Sequence, residues 1–121
     1  MSAMSLMGDN NIFKCATSVA PVTDWALYDS IYTERYMVLP ENNFKAYNDS
    51  RVMNFVENIR KYDKKYMLVH GTMDDNVHFQ NATQMISALV KSNIDFESAY
   101  YPNKNHGIGG QVDNTTFHLW S

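Results

Sequence analysis

Hydrophobic and polar positions fall into three patterns along the chain, and the clearest lies in its second half. From Tyr66 to His70 the sequence is a continuous apolar run ended by Gly71, the pattern of a strand buried on both faces in a parallel sheet. Phe79, Ala82, Met85, Ile86, Leu89 and Val90 then recur at spacings of three, three, one, three and one, which predicts an amphipathic helix with one core-facing stripe. Asn93 stops it, and Phe96 to Tyr101 (FESAYY) reads as another strand, closed by Pro102. Strand, helix and strand make a βαβ unit with a right-handed crossover. Upstream, Phe13 to Val22 is short and partly β-branched, and with Pro21 near its end it predicts a third parallel strand. Trp25 to Met37 carries Tyr28, Tyr32 and Tyr36 four apart, one face of a helix. Pro40 and ENNFKAYNDS predict a loop, Val52 to Lys61 a short helix, and Thr115 to Ser121 the start of a further segment. The expectation is an α/β fold of about three parallel strands with flanking helices. So small a sheet cannot be covered on both faces by this chain alone, which points to a piece of a larger one.

Composition narrows the partners. With 121 residues, 45% hydrophobic and 19% charged, the chain has the size and make-up of one globular domain, and no apolar run approaches the roughly 20 residues of a membrane span. Ten basic against thirteen acidic side chains, net charge −3 and no basic cluster beyond Lys64-Lys65, argue against nucleic acid or an anionic membrane as partner. The opening MSAMSLMGD has neither the basic start nor the apolar core of a secretion signal. Cys15 is the single cysteine, so the chain holds no internal disulfide. Three N-x-S/T sequons, at Asn48, Asn81 and Asn114, lend weak support to a secreted setting, and of these only Asn48 falls in an expected loop.

Chemistry is expected at the carboxyl ends of the strands. Asp74-Asp75-Asn76 follows one strand, His106 the next, and the Trp25 to Tyr36 aromatics the third, all on one rim. Asp74 and His106 are 32 residues apart, the length of one helix and one strand, so neighbouring strand ends would bring them together. A carboxylate that accepts the imidazole N–H fixes the ring's tautomer and stabilises its cation. The same residues also fit a purely structural reading: Asp-Asp-Asn is common turn and capping chemistry, and Asn105-His106-Gly107 a reasonable turn. His70, Asp74 and His78 have metal-ligand spacing only on a helix, which the strand ending at Gly71 denies, and no EF-hand pattern is present. No cofactor is expected. Trp25, Tyr28 and Tyr32 fit either a core stripe or the wall of a compact pocket. No G-x-S-x-G occurs, so no serine elbow is encoded in these residues.

Three strings carry a resemblance: HGTMDDNVHFQ, VAPVTDWALYDSIYTERYM and the NHGI around His106. In the same order they are similar to the catalytic α/β-hydrolase domain of the dipeptidyl peptidase IV family, within the prolyl oligopeptidase group of serine proteases. The resemblance runs from about Phe13 to the end. It implies that Asp74 and His106 are the triad aspartate and histidine and that Asn76 helps hold the substrate's carbonyl. It further implies that Val22, Trp25, Tyr28, Tyr32 and Val77 line a proline pocket, with Arg35 bracing its rim.

On this resemblance residues 1–121 are the C-terminal part of the peptidase domain. They lack the serine elbow, which would lie just upstream, and most of the last helix; Cys15 resembles a cysteine paired with one in that absent tail. The implied function is removal of dipeptides after proline or alanine by the complete parent, with peptides as substrates. The implied setting is secreted or the cell-surface ectodomain of a membrane-anchored parent. The fragment alone is expected to be inactive, and homodimerisation through this domain stays open. The alternative is a non-catalytic homologue or truncated product that binds or associates without cleaving.

Overall fold

The computed structural model describes residues 12–108 together with Gly8. The elements are β1 (Cys15–Val19), a 3-10 turn (Trp25–Leu27), α1 (Ser30–Met37), α2 (Phe44–Asp49), a second 3-10 turn (Val52–Phe55), α3 (Glu57–Lys61), β2 (Lys65–Gly71), α4 (Gln80–Lys91) and β3 (Glu97–Tyr101). Three parallel strands form one sheet in the order β1-β2-β3. β2 is the middle strand, with Val69 opposite both Val19 and Ala99.

Strand alternation sends Tyr66, Leu68 and His70 to one face of the sheet. Tyr66 and Leu68 there join Val52, Val56 and Ile59 from the first crossover and Ala82, Met85 and Leu89 from α4 in one core. Two right-handed crossovers stepping in the same direction lay both connections on the same side, as seen here. Leu68, Met85 and Leu89 are fully enclosed, and each such side chain stabilises the fold by about 1.5–3 kcal/mol. Asn93, at φ 51°, takes the left-handed conformation that ends α4, as the sequence predicts. The opposite face is less covered, with Val19 still 52% exposed.

Three expectations change. Trp25 to Met37 is not one helix, because Asp24 and Asp29 each accept a backbone N–H, from Ala26 at 3.0 Å and Tyr32 at 3.1 Å. Each aspartate starts its own short element, and Tyr28 lies extended between them, off the helix. ENNFKAYNDS is not all loop but contains α2, anchored where the buried Tyr47 donates its hydroxyl to the Val38 carbonyl at 2.8 Å. Val52 to Lys61 is divided between the second 3-10 turn and α3. Thr115 to Ser121, Asn114 and the stretch 1–7 lie outside the described residues.

Candidate active site

β2 ends at Gly71, and the chain turns at once through Asp74. One carboxylate oxygen of Asp74, Oδ1, accepts the backbone N–H groups of Asn76 at 3.0 Å and Val77 at 2.8 Å. The other, Oδ2, lies 2.9 Å from His106 Nδ1. Turn chemistry and histidine pairing, alternatives in the sequence, are thus both present on one side chain, one oxygen each. Asp75 is exposed, and the amides of the turn are held by Asp74. Burial acts to raise the Asp74 pKa, but the hydrogen bond from His106 and those from the Val77 and Asn76 amides prevail, so it lies below the usual carboxylate value. The Asp74 side chain is fully enclosed, whereas that of His106 is 44% exposed. A neutral His106 donates from Nδ1, which leaves the lone pair on Nε2.

The loop bearing His106 is seated against β2 by backbone contacts. Met73 N–H donates to the Lys104 carbonyl at 3.0 Å, Thr72 N–H to that of Tyr101 at 3.1 Å, and Asn103 N–H to Thr72 Oγ1 at 3.1 Å. Gly71 permits this approach, because a Cβ there would sit 2.3 Å from the Lys104 carbonyl oxygen.

The aromatic side of the rim is tied down by Asn81. Its Oδ1 accepts the N–H of Thr23 at 3.0 Å and that of Asp24 at 3.3 Å, and the Thr23 hydroxyl donates to its carbonyl at 2.9 Å. Asp24 also pairs with Arg51 at 2.8 Å. From this base Tyr28 reaches over and donates its hydroxyl to Asn76 Oδ1 at 2.9 Å. Trp25 stacks on Tyr32 at 6.3 Å between ring centroids, and Tyr28 meets Tyr32 edge-on at 5.6 Å. Trp25 and Tyr32 border one hollow with Tyr36, while Tyr28 and Asn76 border a second with Asp75 and His78. Val77 is buried and Val22 half-buried, and neither borders these hollows. Arg35 is exposed, its guanidinium 5.7 Å from the Tyr36 ring centre. His70 is enclosed, lying 2.9 Å through Nδ1 from the Gly71 carbonyl and edge-on to Phe79, whereas His78 is exposed.

The parts that Gly71, Thr23 and Asn81 play in holding the rim together were not read from the sequence. For Asn81 a signal exists: it stands four residues before Met85 and eight before Leu89, a polar side chain on the core stripe of α4.

A parallel α/β sheet with an aspartate–histidine pair across adjacent strand ends is the architecture of part of an α/β-hydrolase domain. The chain belongs to the prolyl oligopeptidase family, whose model matches residues 1–119. It is 46% identical to prolyl endopeptidase FAP of Bos taurus over 100% of this chain and 16% of that protein. To venom dipeptidyl peptidase 4 of Apis mellifera it is 47% identical, over 99% of this chain and 16% of that one. Among solved structures, Porphyromonas gingivalis dipeptidyl peptidase 4 matches at TM-score 0.87 and 42% identity, covering 98% of this chain and 16% of that one. The chain therefore spans about a sixth of the length of these relatives.

Proposed function

We propose that residues 1–121 form the acid–base part of a dipeptidyl-peptidase-like serine peptidase, whose nucleophile comes from sequence outside them. The observation that carries this reading is the 2.9 Å contact of His106 with an Asp74 whose other oxygen is held by two amides. The serine hydroxyl attacks the scissile carbonyl, and His106 Nε2 takes its proton and returns it to the leaving amine. Asp74 keeps the ring oriented and stabilises its cation. Asn76, held by Tyr28, lies beside this pair as a contact for the substrate's backbone carbonyl. Trp25, Tyr28 and Tyr32 supply flat apolar walls that suit a proline or alanine side chain. The parent acts outside the cell or at its surface; among the described residues no helix is long and apolar enough to cross a membrane.

The test is hydrolysis of a chromogenic Gly-Pro substrate by the full-length protein. Turnover abolished by His106→Ala and by a serine-directed phosphonate supports the peptidase reading. A full-length protein that binds peptides but does not cleave them establishes the non-catalytic alternative. Residues 1–121 alone are expected to show no turnover, and phosphonate-sensitive cleavage by them would overturn the assignment of the nucleophile.

A further inference from the structure

The fully buried imidazole of His70 takes no part in the acid–base chemistry proposed above. It stands at the end of the middle strand, just before the turn that carries Asp74. Its Nδ1 lies 2.9 Å from the Gly71 carbonyl oxygen. That oxygen can only accept, so Nδ1 carries the ring's hydrogen and donates it. Nε2 is shut away from solvent with no hydrogen-bond partner among the described residues, which leaves it as the unprotonated nitrogen. The ring stands edge-on to Phe79 at 5.4 Å, and Phe79 edge-on to Tyr100 at 5.5 Å, so packing from the start of α4 and from β3 keeps it in place.

The bond from His70 falls on a peptide unit that both rim loops use. The oxygen of the Gly71–Thr72 peptide also faces the Asp74 N–H at 3.4 Å, and the N–H of the same unit donates to the Tyr101 carbonyl at 3.1 Å. In a trans peptide these two groups point opposite ways. One edge of the plane therefore meets the aspartate's turn, and the other meets the strand end that leads to His106. Gly71, which the close approach of Lys104 requires to lack a Cβ, gives the plane little stiffness of its own. From this arrangement we infer that His70 is a positioning residue: its Nδ1–H sets the tilt of the Gly71–Thr72 peptide, and through it the alignment of Asp74 with His106. Without that donor the enclosed carbonyl keeps only the long contact with the Asp74 amide, and the plane turns to find a better partner.

The kinetic side of this inference rests on the peptidase reading, and the structural side does not. Asn places an N–H donor at the same distance along the side chain as Nδ1, whereas Phe and Leu fill the space without one. Full-length His70→Asn, His70→Phe and His70→Leu are compared with wild type, and either donor-free variant that keeps the wild-type melting transition serves. In its crystal structure the Gly71–Thr72 peptide is expected to be rotated and the Asp74–His106 contact lengthened beyond about 3.5 Å, with the core around Met85 and Leu89 unmoved. His70→Asn is expected to keep the wild-type geometry. With a chromogenic Gly-Pro substrate, kcat is expected to fall by about 10²-fold in the donor-free variant, with KM within about twofold of wild type and most of the rate kept by His70→Asn. An unrotated peptide without the donor, or wild-type kcat in an active donor-free variant, overturns the inference. Equal damage in His70→Asn and His70→Phe also overturns it, because the ring's packing rather than its N–H would then be what matters. A wild-type protein without turnover whose variants show the expected geometries sinks the peptidase reading alone.

Discussion

At the scale of single residues, Asp74 divides its work between its two oxygens. Asp74→Asn keeps an oxygen for the Val77 and Asn76 amides but can present an NH2 group to His106 Nδ1, which favours the wrong tautomer. On the proposed peptidase reading, kcat of the full-length protein is expected to fall by about 10⁴ with the fold retained. The pH dependence follows from the lowered Asp74 pKa. Because the folded value lies below the ordinary 3.8, the ionised carboxylate's contribution to stability is fully present above that value and is lost as pH falls through the lower folded pKa. The stability difference between wild type and Asp74→Asn, measured by denaturant unfolding across a pH series, is expected to shrink below pH 3.8 and stay flat above it. Tyr28→Phe removes the hydroxyl held by Asn76, and a rise in KM larger than the fall in kcat is expected in steady-state kinetics. The Asp74 and His106 pairing was legible because two residues at neighbouring strand ends have few places to go. That Asp74 rather than Asp75 also holds the turn was not, since either of two adjacent acids can accept the backbone amides until the fold chooses between them.

Among the elements, legibility followed the strength of the repeating pattern. β2 and α4 have long apolar periods and lie within a residue or two of where the sequence puts them. The Trp25 to Met37 stretch kept the period of a helix in its tyrosines, yet two aspartates capturing backbone N–H groups outweighed it. α2 escaped notice because its one buried contact, Tyr47, is flanked by residues typical of loops. Elements are also held together by groups that carry no period. Asn81→Ala would leave the amides of Thr23 and Asp24 without their partner, with an expected cost of about 1–3 kcal/mol by denaturant titration. Gly71→Ala would force the Lys104 carbonyl away from β2 and carry His106 with it. A large loss of kcat/KM with Asp74 unchanged is expected, and the crystal structure of the variant would show the His106 loop displaced.

At the scale of the molecule, the described residues cover one face of the sheet well and the other less. β1 and β3 are the outer strands of the described sheet, and Val19 is half exposed on the face away from the helices. Open strand edges and apolar sheet faces invite association. Residues 1–121 produced alone are expected to associate with rising concentration and to bind a hydrophobic dye, as sedimentation velocity and fluorescence would show. A monodisperse monomer with a sharp cooperative melt would contradict this.

The backbone seat between the two rim loops has a kinetic consequence. Thr72 and Met73 donate their amides to the carbonyls of Tyr101 and Lys104, so those protons can exchange with solvent only when the histidine's loop lifts from β2. Deuterium uptake at Met73 thus becomes a clock for how often the aspartate and histidine part company, readable without a substrate and without the proposed nucleophile.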